Sequence, residues 1–174
     1  SALFAYERQQ GTLRRILTTP TSKATYLLGT ISGQVVMALV QMSILILFGI
    51  FVMKLGWGRE PLALFVILTT AALAAGAIGT TMGTFIKTEG QAGGLSIMAG
   101  MVMALMGGCW YPIELFPSVV QTIVKILPTT WAMQGLLDLV LRGGGLMEIL
   151  PEAGVLLGFA GIFLAVGVMR FRYE

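Results

Sequence analysis

The sequence has 174 residues, of which 56% are hydrophobic and only 11% are charged, and its formal net charge is +3. Roughly 25% of the residues of an average soluble domain are charged, so eleven basic and eight acidic residues are too few for a soluble surface. The absence of histidine and the single cysteine, Cys109, exclude an internal disulfide and a Cys/His zinc site. The basic residues do not form the clustered surface that binds nucleic acid. We therefore predict an all-α integral membrane protein without a nucleic-acid partner.

The first 22 residues predict a short amphipathic helix on the cytoplasmic side. Leu13, Ile16 and Leu17 share one helical face, and Pro20 ends the pattern. Two interpretations stay open on physical grounds. In the first interpretation, the helix lies on the membrane surface and is held there by anionic lipid. In the second, it fits a groove on a cytoplasmic protein partner.

Four transmembrane helices are predicted from long apolar stretches that are nearly free of formal charge. About 20 apolar residues in a helix cross the hydrocarbon layer of roughly 30 Å. The predicted bounds are residues 24–53, 61–86, 91–110 and 149–169.

Residues 111–146 form a segment that is too apolar for a free loop and too interrupted for a span. Three prolines and a run of three glycines divide it into amphipathic pieces at residues 118–127 and 129–141. Irregular backbone at membrane depth is tolerated only where it packs in protein or lines a cavity. We therefore predict short helices that lie in the outer leaflet or re-enter it, between the last two spans.

The distribution of basic residues predicts that both chain ends are cytoplasmic in a multi-pass protein of the cell membrane. Lys and Arg are retained preferentially on the cytoplasmic side. With four spans, seven of the eleven basic residues fall on the side of the chain ends. They are Arg8, Arg14, Arg15, Lys23, Lys87, Arg170 and Arg172.

No catalytic site or resident cofactor is predicted in this chain. The acidic residues in and beside the outer segment have no nucleophile, histidine or metal-type spacing near them, and we interpret them as solvated carboxylates at the interface. They are Glu114, Asp138, Glu148 and Glu152. The phosphate-binding loop of ATPases is also missing, so any use of ATP requires another chain.

Three classes of function remain compatible with such a bundle: an ATP-driven permease, an ATP-independent channel or secondary transporter, and a non-transporting scaffold. A channel or secondary transporter normally places ionisable groups within its spans, and the predicted spans contain almost none. This weighs against the second class, whereas the scaffold stays open.

Two motifs resemble those of type-2 ABC transporter permeases. The first is Glu7-Arg8-Gln9-Gln10-Gly11-Thr12-Leu13-Arg14-Arg15-Ile16-Leu17-Thr18-Thr19-Pro20, with Ile16 where that family usually has Leu. The second is Tyr111-Pro112-Ile113-Glu114-Leu115-Phe116-Pro117, followed by Leu127-Pro128 and Trp131. Together with the four spans, the motifs cover nearly the whole chain.

The resemblance implies the membrane subunit of an ABC exporter that moves substrate outward, in a bacterial or archaeal inner membrane. Such permeases have six spans, work as homo- or heterodimers, and pair with two cytoplasmic ATPase subunits that bind ATP and Mg. The chain would be the C-terminal portion, spans three to six. Its ATPase-docking coupling helix would comprise Glu7, Arg8, Gly11, Thr12, Leu13, Arg14, Arg15, Ile16, Leu17 and Pro20. The outer segment would be marked by Tyr111, Pro112, Glu114, Pro117, Pro128 and Trp131.

Overall fold

The computed structural model describes residues 23–86 and 89–170, and within these ranges the chain is helical without β-strands. The predicted amphipathic helix within residues 1–22 lies outside the described residues. The elements are α1 (Lys23–Phe51), α2 (Pro61–Phe85), α3 (Glu89–Met106), a 3-10 helix (Ile113–Leu115), α4 (Ser118–Val124), α5 (Pro128–Val140) and α6 (Leu146–Arg170).

Three of the helices are long and apolar enough to cross a membrane. They are α1 over 28 residues from Ala24, α2 over 25 residues and α6 over 25 residues. At 1.5 Å per residue they extend about 42, 37 and 37 Å, more than the hydrocarbon layer of roughly 30 Å. Three of the four spans predicted from apolar stretches thus correspond to helices that are long and apolar enough to cross a membrane.

The remaining predicted span, residues 91–110, corresponds to α3, which has 18 residues and ends at Met106. Its length is about 27 Å, slightly less than a full crossing, and its assignment as a span stays a prediction.

Helix α2 is the centre of the described fold, because it packs against α1, α5 and α6. Its most extensive interface is with α6, where small residues allow close approach of the backbones. The hydroxyl of Thr81 lies 2.6 Å from the carbonyl oxygen of Phe163, and a side chain at Gly167 would press against Thr81. The main apolar core joins α2 to α5 and α6 and contains Ala63, Leu64, Ile67, Ala74, Leu139, Ile149 and Leu156.

Helix α1 buries only one narrow stripe against this centre. Leu27, Ile31 and Val35 are buried at helical spacing, whereas large side chains around the rest of the helix, such as Met37 and Phe51, are exposed. These faces are available to lipid or to further membrane helices.

Candidate functional site: the outer segment and the cavity beside it

The outer segment begins where two glycines end α3. The N–H of Gly107 bonds to the carbonyl oxygen of Met103 at 2.9 Å, and the N–H of Cys109 to that of Ala104 at 3.1 Å. Between them, Gly108 has a φ of 90°. A left-handed glycine with a bond spanning five residues is a common helix C-cap. The third predicted span, residues 91–110, therefore extends four residues beyond the end of α3 at Met106.

Each of three predicted site prolines opens a helical element. Pro112 precedes the 3-10 helix, Pro117 precedes α4, and Pro128 is the first residue of α5. Proline suits these positions because the first helical N–H groups have no partner within the helix and its φ is already helical. The Nε2 of Gln121 donates to the carbonyl of Phe116 at 2.8 Å and holds α4 against the 3-10 helix.

The first turn of α5 is tied by side chains to the ends of α3 and α4. Thr129 Oγ1 donates to the carbonyl of Met103 at 2.7 Å, and Thr130 Oγ1 donates to that of Val124 at 2.6 Å. The indole N–H of Trp131 donates to the carbonyl of Lys125 at 2.8 Å. A carbonyl oxygen can accept two hydrogen bonds, and those of Met103 and Val124 also accept the backbone N–H groups of Gly107 and Leu127. The three side-chain bonds therefore fix the start of α5 against the ends of α3 and α4.

The middle of α5 packs closely on α2. A β-carbon at Gly135 would lie 2.7 Å from Cδ1 of Ile67, which is 1% exposed. Further along α5, the carbonyl oxygen of Leu139 lies 3.0 Å from the position of a β-carbon at Gly58, in the turn before α2. Helix α5 is thus packed against α2 and the turn before it, as a segment near a membrane requires where its backbone is irregular.

Two carboxylates hold the start of α6. Glu148 Oε2 accepts the N–H of Gly145 at 2.7 Å, and Glu60 Oε2 accepts the N–H of Leu146 at 2.9 Å from a turn 86 residues away. Acidic groups at a helix N-terminus satisfy free N–H groups and interact well with the helix dipole. The sequence offers a signal for Glu148, which stands three residues after Gly145, the spacing of the acidic residue in a capping box. It offers none for Glu60, which the sequence analysis missed.

The predicted site residues divide between these roles and the exposed surface. Pro112, Pro117, Pro128 and Trp131 belong to the hydrogen-bonded frame of the outer segment. Tyr111 and Glu114 are exposed, as are Pro112 and Pro117. The ten residues of the predicted coupling helix lie outside the described residues.

The expectation of four solvated carboxylates is wrong for one of them. Glu114 and Glu148 are exposed, and Asp138 forms an ion pair with Arg142. Glu152 is different, because its Oε2 is enclosed and has no hydrogen-bond partner among the described residues. A β-carbon at Gly135 would lie 3.4 Å from Cβ of Glu152, so the absence of a side chain there lets α5 lie against this residue.

Beside the buried start of α5 lies a cavity of about 380 Å³ between α1, α2, α3, α5 and α6. Small residues of α2 form one wall, and the start of α5 forms another. Gln34 of α1 also lines it, with its Oε1 near Gly76. The lining residues are Gln34, Ala38, Met42, Ala71, Ala72, Ala75, Gly76, Met103, Pro128, Thr129, Ala132 and Leu156.

The family model of the ABC-2 family transporter proteins matches residues 1–169. The chain belongs to this family. The ABC-2 match covers both motifs and every described helix except the last residue of α6. It confirms the resemblance to ABC permeases that the two motifs indicated.

Among ABC-2 relatives, the linearmycin resistance permease protein LnrN of Bacillus subtilis is 29% identical over 165 residues, 95% of this chain and 43% of that protein. The inner membrane transport permease YhhJ of Escherichia coli is 27% identical over 169 residues, 95% of this chain and 45% of that protein. The putative transport permease YvfS of Bacillus subtilis is 33% identical over 139 residues, 79% of this chain and 56% of that protein. The chain thus spans less than half the length of the first two relatives. No solved structure is a significant match to this ABC-2 chain.

Proposed function

We propose that the chain is part of the membrane permease of an ATP-driven exporter, which moves substrate outward when separate ATPase subunits bind it. The observation that carries this proposal is the ABC-2 family match over residues 1–169, which includes the predicted docking segment as well as the bundle. The name of one relative connects that permease with resistance to linearmycin, which supports outward movement as the direction.

We assign α3 as a fourth crossing of the membrane, completed by the re-entrant α5. Two contacts support this. The end of α3 meets the start of α5 through Thr129 and Met103, beside a cavity whose opposite wall includes Ala71 and Gly76 from the middle of α2. From there α5 runs to the turn at Gly58, at the start of α2. Helix α3 therefore extends from the level of the end of α2 to the level of its middle. Helix α5 extends from there to the level of the start of α2.

Four crossings bring both chain ends to one side, for which we propose the cytoplasm. The guanidinium of Arg170 lies 5.3 Å from the ring centre of Phe85, so the last turns of α2 and α6 are adjacent. Near Gly167, Leu27 places the start of α1 at the same end of the bundle. The docking segment, which precedes α1, thus joins the bundle at the end that carries most of the basic residues.

ATP binding and hydrolysis, with Mg, belong in this proposal to the partner subunits, and a second permease copy, identical or related, completes the transporter. Movement of the ATPase pair would be transmitted through the docking segment at residues 7–17 to α1. A ligand shifts such a conformational equilibrium only by its differential affinity for the two states. The apolar face of Leu13, Ile16 and Leu17 would fill the groove on the ATPase, and its flanking charges would set the register.

The test is the double variant Leu13→Asp with Leu17→Asp in the intact permease, which places two charges on the apolar face. We expect loss of co-purification with the ATPase and loss of substrate-stimulated ATP hydrolysis. The matched control, Thr18→Asp with Thr19→Asp, adds the same charge on other faces and should keep both properties. Unchanged ATPase binding and hydrolysis in the leucine variant would refute the docking role, and transport without any ATPase would favour a channel or secondary transporter.

A further inference from the structure

The cavity between α1, α2 and α5 opens on the side where Ala75 is exposed, so it is a cleft and not an enclosed void. Its volume is about 380 Å³. At about 30 Å³ per water-sized group, it holds about 13 such groups. Its size is at the lower end of the range of small-molecule sites.

The lining of the cavity excludes a charged ligand group inside it. None of the twelve lining residues carries a formal charge, and ten of them are Ala, Gly, Met, Pro or Leu. A buried charge needs a partner of opposite charge or several hydrogen bonds, which this wall does not offer. An uncharged, largely apolar molecule is therefore the class that fits.

Two lining side chains are polar, and only one of them has a hydrogen-bond donor free for a ligand. The hydroxyl proton of Thr129 is already donated to the carbonyl of Met103. The amide of Gln34 has no hydrogen-bond partner among the described residues, and its Oε1 lies at the wall near Gly76. An amide offers two donors and an acceptor, and in the middle of a membrane helix water is not freely available to satisfy them.

We propose that this cavity binds a neutral amphiphile, with the apolar body against α2 and α5 and one hydroxyl or carbonyl group on the Gln34 amide. The inference rests on the proposed function in one respect, since it names this class as the substrate of the permease. The site lies within a single chain, between α1 and the re-entrant α5, and is reached from the side where Ala75 is exposed.

The experiment uses the intact permease in lipid nanodiscs and three photoreactive probes. The first is dodecan-1-ol with a diazirine in mid-chain, which has 13 non-hydrogen atoms before modification, close to the capacity of the cavity. The second is the matching alkane without the hydroxyl. The third is a phospholipid that carries the same diazirine in one acyl chain. Peptide mass spectrometry locates the labelled residues, and Met42 and Met103 report on the cavity.

Two variant pairs test the wall and the amide. Ala75→Phe fills the cavity from an exposed wall position, and Ala165→Phe makes the same change on an exposed position of α6 outside it. Gln34→Leu removes the amide, and Gln41→Leu makes the same change at an exposed position on the same helix.

We expect the alcohol to label the cavity about fivefold more than the alkane, the factor given by one net hydrogen bond. Gln34→Leu should abolish this preference and Ala75→Phe should abolish cavity labelling, while both controls behave as wild type. Equal labelling by alcohol and alkane, or labelling unchanged in Ala75→Phe, would overturn the proposal. Labelling by the phospholipid equal to labelling by the alcohol would overturn the proposal in favour of bilayer lipid. Absence of cavity labelling by all three probes would also overturn it, because another segment would then fill the cavity. These assays need no ATP, so a failure of ATPase docking contradicts the proposed function without altering the labelling result.

Discussion

Substitution of Gly135 by alanine should loosen the outer segment from the bundle by a defined amount. The new β-carbon would lie 2.7 Å from Cδ1 and 3.0 Å from Cγ1 of Ile67, well inside the favourable carbon–carbon separation of about 3.5–4.0 Å. Because Ile67 is 1% exposed, its side chain has no free space into which it can move. Overpacking of a tight core costs about 1–3 kcal/mol.

An opposing effect reduces this cost. Alanine is favoured over glycine in a helix interior by about 0.5–1 kcal/mol, and α5 is helical at Gly135. The net expectation is destabilisation by about 1 kcal/mol. As a control for the helix effect, Gly154→Ala places its β-carbon in open space on α6, and it should leave the stability unchanged or raise it.

A double-mutant cycle isolates the contact. Ile67→Val removes Cδ1, the atom nearest the new β-carbon, and alone costs about 0.5–1.5 kcal/mol because of the space it leaves. In the double variant the alanine β-carbon occupies that space, so the two losses should not add. We expect a favourable coupling of about 1 kcal/mol, measured as the free energy of unfolding in mixed micelles with increasing dodecyl sulfate. Additive losses, or a Gly135→Ala protein as stable as wild type, would show that α5 does not press on Ile67.

Two further outcomes follow from single contacts. Thr81→Val removes the hydroxyl that lies between the carbonyl oxygens of Phe163 and Ala77. It should cost about 0.6–1.7 kcal/mol in unfolding free energy, whereas Thr81→Ser should keep most of this stability; equal losses would contradict the bond. Glu60→Ala should speed backbone hydrogen exchange at Leu146, with Glu60→Gln intermediate, and equal exchange in both variants and wild type would refute the contact.

Much of the helical framework is predictable from the sequence because spans are long and their apolar character dominates. The predicted bounds of the first two spans agree within two residues with α1 and α2. The C-terminal bound of the third span was predicted less well. Apolar residues continue through Cys109 and Trp110, so hydropathy does not indicate that the helix ends at Met106. The glycine pair after Met106 was the local signal for that end.

The candidate site was only partly predictable, because its decisive contacts join distant parts of the chain. The prolines correctly indicated where elements of the outer segment begin. In contrast, the bond from Leu146 to Glu60 depends on how two turns meet, and the contact of α5 with Glu152 depends on the close approach at Gly135. The cavity at Gln34 likewise arises from five helices packing together.

The small residues of α2 show how interior and exterior are distinguished in a chain that is apolar nearly everywhere. The buried positions of α2 are mostly Ala, Gly and Thr, whereas the exposed positions of α1 include many Leu, Ile, Met and Phe side chains. In water, polarity separates the two surfaces; in lipid, the hydrocarbon is as apolar as leucine and cannot do so. On α2, side-chain volume takes over much of that role, because small residues occupy most of the positions at which this helix meets protein.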